Sequence, residues 1–213
     1  MGPASKAGVT KARRIRERFG LGLDGPIADL LVLAERELGV PVVIPERLPD
    51  DLAGVYLPRD GRPVILLNGA DAPARLRFTL AHELGHHAFG DHRQADTHAG
   101  LVSPGHWIEV RANAFAAELL MPAPAVAAYT EPTVATVNEI AARFGTSLLA
   151  SAIRLQTAGV AGPEQTAVLR AQLDHAPAPQ PYEDAIARAK RSLPRWPNPD
   201  SPLARGLVRF AVA

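Results

Sequence analysis

Arg77-Phe78-Thr79-Leu80-Ala81-His82-Glu83-Leu84-Gly85-His86-His87 is the stretch on which the reading of this chain turns. Inside it, His82-Glu83-Leu84-Gly85-His86 has the spacing H-E-x-x-H. On a helix, residues i and i+4 stand one above the other, so two imidazoles at that spacing can grip one metal ion. The carboxylate after the first histidine is then placed to take a proton from water at the metal. The flanking residues predict a helix. Asp71 reads as its N-cap and Pro73 as part of its first turn, and Gly90 is suited to ending it. Leu76, Leu80, Leu84 and Ala88 recur at helical spacing and predict a buried stripe roughly opposite the histidines.

A catalytic zinc usually takes three protein donors and keeps one position for water. Two residues compete for the third place. His92 follows His86 at the spacing of H-E-x-x-H-x-x-G-x-x-H, but that pattern requires a glycine where this chain has Phe89, and Gly90 comes one position late. Glu109 stands 23 residues after His86, on what reads as a second helix from Trp107 to Leu120, stopped by Met121-Pro122. Two histidines and a glutamate form an established zinc set. Asn113, four residues on, shares the face of Glu109 and can hydrogen-bond the outer atom of a ligand. Spacing favours Glu109. The plain alternative for such a residue is an exposed helix carboxylate, and Glu118 reads as one.

The whole chain sets the frame. Its 213 residues, 47% hydrophobic and 21% charged, predict a folded globular protein with one main domain. A net charge of +1 predicts neither nucleic-acid nor membrane affinity for the chain as a whole. The absence of cysteine excludes disulfides, thiolate zinc ligands and a cysteine nucleophile. No apolar run approaches the roughly 18 residues of a membrane span, and the basic N-terminus has no apolar core of the secretory kind. A cytoplasmic protein with no membrane contact is expected.

In chain order, residues 1–22 are basic, with Glu17 their single acid, and read as a solvated lead-in rather than a DNA-touching helix. A main domain is expected over 23–158. Asp24-Gly25-Pro26 opens a predicted helix carrying Ile27, Leu30, Leu31, Ala34 and Leu38, closed by Gly39. Pro41 to Ile44 reads as a strand. Gly54–Leu57 and Val64–Leu67, parted by Pro58-Arg59-Asp60-Gly61-Arg62, read as a hairpin. The order predicts an α+β fold with a small antiparallel sheet. If Val64–Asn68 or its neighbour forms the sheet edge, a peptide could pair with it by strand addition. Residues 90–105 are polar and, with His92, His98 and nearby His106, make a candidate rim. Val134 to Leu155 reads as a helix-turn-helix. Its second helix offers Arg154 and is preceded by Arg143, too little for a DNA reader, so packing against the rest of the domain is expected. Residues 159–213 read as a Pro-rich basic tail with short helices at Thr166–Leu173 and Tyr182–Leu193. Arg188, Lys190, Arg191, Arg195, Arg205 and Arg209 supply its charge.

Together the Arg77–His86 stretch and Glu109-Val110-Arg111-Ala112-Asn113-Ala114-Phe115-Ala116-Ala117-Glu118-Leu119-Leu120-Met121-Pro122 resemble the ImmA/IrrE metallopeptidase family. The strands Gly54-Val55-Tyr56 and Ile65-Leu66-Leu67-Asn68 resemble it too, over roughly Ile27 to Leu155. The resemblance implies a zincin-like fold with an active-site helix and a helix-turn-helix-like pair. It also implies metal ligands at His82, His86 and Glu109, with a catalytic glutamate at Glu83. Arg111 departs from the pattern, which often has Glu or Gln there. The implied activity is cleavage of a helix-turn-helix transcriptional repressor by a zinc-dependent endopeptidase, with no sequence-specific DNA binding of its own. Mn2+ or Fe2+ could fill the same nitrogen and oxygen donors. The rival is a metal-stabilised module that sequesters a regulator without cutting it, against which Glu83 argues, since such a module needs no base. A secreted metzincin-like protease fits poorly with Phe89. A second oxyanion donor is commonly needed; His87, His92, His98, His106, Tyr56 and Tyr129 are unranked candidates, each of which reads first as a structural or surface residue.

Overall fold

The computed structural model describes residues 1–49, 52–58, 63–91, 94–97, 106–173 and 186. Helix α1 spans Pro3–Arg18. A short helix α2, Leu30–Val32, runs into a π-helical turn at Leu33–Glu37. Strands β1 (Val42–Val43), β2 (Leu52–Leu57) and β3 (Val64–Leu67) lead to the long helix α3, Pro73–Phe89. Strand β4 (Gln94–Thr97) precedes α4, His106–Leu120. Helices α5 (Ala123–Ala127), α6 (Val134–Phe144), α7 (Leu148–Thr157) and α8 (Pro163–Leu173) follow. The fold is α+β.

The sheet order is β1-β3-β2-β4. β2 and β3 form the expected antiparallel hairpin, with Val55 opposite Leu66 and Tyr56 opposite Ile65. β1 adds to the far side of β3 in parallel, so the sheet is mixed where a wholly antiparallel one was expected. β4 pairs antiparallel with β2. The segment 64–68 is therefore interior and not the sheet edge: β1 and β4 each cover one side of the hairpin. β4 itself comes from the stretch expected to be rim loop.

Helix α3 lies against this sheet and against α4. Leu76, Leu80 and Leu84 are fully buried, as their spacing requires. The helix begins one residue later than expected. Pro73 at its first position holds Ala72 extended (ψ 149°) and makes Ala72 the N-cap. Asp71, displaced outward, pairs instead with Arg75. Gly85 makes the α3–α4 crossing close: a Cβ there would stand 3.1 Å from Phe115 Cδ1 and 3.2 Å from Ala112 Cα.

Residues 1–22 overturn the expectation of a solvated lead-in. α1 packs along α4, and at Gly8 the backbones approach so closely that a Cβ would lie 2.2 Å from the Arg111 carbonyl oxygen. Arg16 is fully buried. It donates to the carbonyls of Leu119 (2.5 Å), Gly22 (2.6 Å), Gly25 (2.6 Å) and Leu21 (3.1 Å). A buried guanidinium surrounded by carbonyl acceptors is satisfied without an acid. Arg77, equally buried, donates to Ile27 O at 2.5 Å and Phe144 O at 3.2 Å. These bonds explain why Asp24-Gly25-Pro26 opens no helix: carbonyls a helix would use are turned toward Arg16 and Arg77. The helix starts instead at Asp29, whose side chain accepts from Val32 N, and Gly39 (φ +68°) follows it as expected.

Glu118 is also not the exposed carboxylate expected. It is fully buried and accepts from Arg13 of α1 and Arg154 of α7. The predicted helix-turn-helix is present as α6–Gly145–α7, with Ser147 capping α7 through Ala150 N. Arg154 turns inward to Glu118 and to Met121 O. Arg143 donates to Asp24 O at 2.7 Å. α8 begins at Pro163, ahead of the predicted Thr166, and packs on α7. The predicted helix at Tyr182–Leu193 lies outside the described residues apart from Ile186, which is buried in the main core. No helix of the described residues is long and apolar enough to cross a membrane.

Candidate metal centre

The close crossing at Gly85 brings the His82/His86 face of α3 against the first turn of α4. His82 Nε2 and His86 Nε2 stand 3.0 Å apart. Glu109 Oε2 lies 3.1 Å from His82 Nε2, and its Oε1 lies 3.7 Å from His86 Nε2. Among the described residues, these three side chains form a group whose ligand atoms all lie within 4.8 Å of one another. The histidines are buried, while the Glu109 side chain keeps 33% exposure. The centre therefore opens toward solvent on the Glu109 side.

The outer ring nitrogens decide what the inner ones can do. His82 Nδ1–H donates to Asn113 Oδ1 at 3.0 Å, and His86 Nδ1–H donates to Asp91 Oδ2 at 3.0 Å. With each Nδ1 carrying the proton, both Nε2 lone pairs point into one space beside a carboxylate. Facing lone pairs repel one another, and a cation among them removes the conflict. The donor set, two imidazole nitrogens and one carboxylate, suits a divalent transition ion. The residues fit a metal. Burial alone would push the Glu109 carboxyl up; when the two rings instead carry protons toward it, hydrogen bonding and charge interaction with His82 and His86 outweigh burial and hold Glu109 well below the usual carboxylate range.

Glu83 is fully buried on the same helix. Its carboxylate lies toward β2, where Gly54 leaves room: a Cβ on residue 54 would stand 3.4 Å from Glu83 Oε1 and 2.5 Å from Thr79 Cγ2. A side chain at position 54 would crowd this corner.

Residues 35–156, more than half of the chain, match the IrrE N-terminal-like domain of peptidase family M78. The chain belongs to the ImmA/IrrE metallopeptidase family. The radiation response metalloprotease IrrE of Deinococcus radiodurans is 40% identical over 87 residues, which are 38% of this chain and 26% of that protein. The chain thus matches about a quarter of that relative's length. Membership in a metallopeptidase family implies a metal ion, and His82, His86 and Glu109 are where this chain could hold it.

Of the other residues singled out from sequence, Asn113 lies behind His82, its Oδ1 3.0 Å from His82 Nδ1. His92, the competitor for third donor, and His98 lie outside the described residues. Tyr56 OH and His87 Nδ1 are 3.2 Å apart. Burial, reinforced by the Asp91 charge, pushes the Tyr56 hydroxyl above its ordinary range, and burial lowers the His87 imidazole. Both therefore stay uncharged near neutrality. Tyr129 donates to Glu139, and His106 is exposed at the start of α4.

Sequence reasoning missed Asp91. Gly90, in the left-handed region (φ +68°), turns the chain back so that Asp91 N donates to the His86 carbonyl at 3.0 Å. The same turn brings the Asp91 side chain to His86 Nδ1. The available signal was its place directly after the helix-ending glycine.

Proposed function

We propose that this chain is a zinc-dependent endopeptidase whose substrate is a protein, a helix-turn-helix transcriptional repressor. Convergence of His82 and His86 of α3 with Glu109 of α4, on one group of atoms within 4.8 Å, carries this reading. Zn2+ is the ion favoured by this donor set, with Mn2+ or Fe2+ able to take its place. When bound, such an ion acidifies water and polarises a carbonyl.

The chain's own side chains do the rest. Asn113 and Asp91 fix both rings with Nδ1 protonated, leaving Nε2 as donor. Glu83 takes a proton from water as it attacks the peptide carbonyl and passes it to the leaving amine. β4, at the edge of the sheet among the described residues, is the strand against which an extended substrate segment can pair. Substrate choice rests on the family resemblance; the Deinococcus relative is named a radiation response metalloprotease. The inward-turned Arg154 and engaged Arg143 support reading α6–α7 as a packed part of the peptidase rather than a DNA reader. A cytoplasmic location fits a repressor substrate.

The test identifies the regulator encoded nearest to this chain, mixes it in purified form with the metal-loaded chain and follows cleavage. Glu83→Gln is expected to lower the rate by roughly 10²–10⁴-fold while retaining bound metal. Unchanged release of the repressor by Glu83→Gln would mean sequestration without cutting.

A further inference from the structure

Contacts behind His86 reach beyond the three donors. The Asp91 oxygen not used by His86 accepts from Arg111 Nη2, and both side chains are nearly enclosed, at 12% exposed for Arg111 and 10% for Asp91. The guanidinium of Arg111 lies 3.9 Å from the ring centroid of Phe89 and 4.8 Å from that of Trp107. Phe89 ends α3, and Trp107 and Arg111 flank Glu109 on α4. Two aromatic rings thus hold a planar cation, the cation holds a carboxylate, and the carboxylate holds a ring of the candidate metal centre.

Each link has a physical reason. A neutral imidazole has two tautomers, and only the Nδ1–H form leaves Nε2 free to ligate. A carboxylate accepting from Nδ1 selects that form and fixes the plane of the ring. Asp91 stands on a turn, where a single hydrogen bond to His86 leaves its side chain free to rotate; a charge-assisted bond from Arg111 removes that freedom. The guanidinium is flat enough to stack on aromatic rings while it donates, which an ammonium cannot do.

We propose that Arg111 is a positioning residue of the metal centre, acting through Asp91 to set the tautomer and orientation of His86. This rests on His82, His86 and Glu109 being the donors. A mere bridge between α3 and α4 would affect folding stability and leave metal affinity alone, and that difference is the test.

Full-length wild type, Arg111→Gln, Arg111→Lys and Asp91→Asn are titrated with Co2+, following the visible spectrum, and with Zn2+ against a competing chelator. Thermal unfolding of the metal-free forms is measured alongside. Arg111→Gln and Asp91→Asn are expected to weaken Zn2+ binding about 10-fold or more and to alter the Co2+ spectrum. Arg111→Lys, which keeps the charge without the stacked plane, is expected to fall between them and wild type, and it carries the test should Arg111→Gln fail to fold. Zn2+ affinity within about twofold of wild type and an unchanged Co2+ spectrum in these variants, whatever their stability, would overturn the proposal. Wild type that binds no Co2+, or binds it equally after Glu109→Gln, would overturn the donor set and this proposal with it. Wild type that binds metal through His82, His86 and Glu109 but cleaves no protein would remove the peptidase reading alone.

Discussion

Glu109 and Glu118 stand on one helix, about two and a half turns apart and so on opposite faces. Their surroundings are opposite as well. Glu118 is fully enclosed between Arg13 and Arg154, with Arg16 adding further positive charge nearby. Glu109 is one-third exposed and faces two imidazole nitrogens that are themselves acceptors. One carboxylate is neutralised by the protein's own cations and joins α1, α4 and α7. The other faces donors that a metal ion would complete. α4 thus separates a charge that holds the fold together from a charge at the candidate metal centre.

The largest effect expected from testing this contrast comes from the enclosed end. Glu118→Ala leaves Arg154 and the inner part of Arg13 without their acid, and should lower the unfolding free energy by about 3–5 kcal/mol in urea titrations. Its metal affinity, in the fraction that remains folded, should match wild type. Next comes the reverse case. Glu109→Gln should leave metal-free stability within about 0.5 kcal/mol of wild type while weakening Zn2+ binding by more than about 100-fold, beyond the range typical of groups that only orient a ligand. Chelation reads the same contrast by linkage: with free Zn2+ at about 100 times the wild-type Kd, removing the ion should cost wild type about 2.7 kcal/mol and Glu109→Gln almost nothing. The smallest shift belongs to Asn113→Ala, expected to weaken Zn2+ binding about 10-fold by releasing His82 Nδ1, measured by chelator competition. Equal responses of Glu109 and Glu118 variants in both assays would dissolve the distinction.

The site was more legible in the sequence than the scaffold. His82, Glu83 and His86 share a helix, so local geometry alone relates them. Glu109 and Asn113 sit four apart on a second helix, and their pairing with the first was favoured by spacing and strengthened by the family pattern. Gly90 was legible as a helix stop because its left-handed φ is a local property. What stayed hidden depends on partners distant in the chain. Gly8 marks a helix contact only once α4 lies across it. Arg16 and Arg77 look like surface cations until carbonyls from other segments surround them. Glu118 reads as solvent-facing until Arg154 arrives from α7. Asp91 combines both cases: the turn that places it is local, but Arg111, which steadies it, comes from α4.

The account stands on two helices delivering three donors to one ion. Crystals of the metal-loaded chain, with diffraction recorded on both sides of the zinc absorption edge, test this most directly. The account predicts a single strong anomalous peak bonded by His82 Nε2, His86 Nε2 and a Glu109 oxygen, at about 2.0–2.2 Å. A peak lacking Glu109, or no peak between α3 and α4 from crystals grown in excess Zn2+, would contradict it.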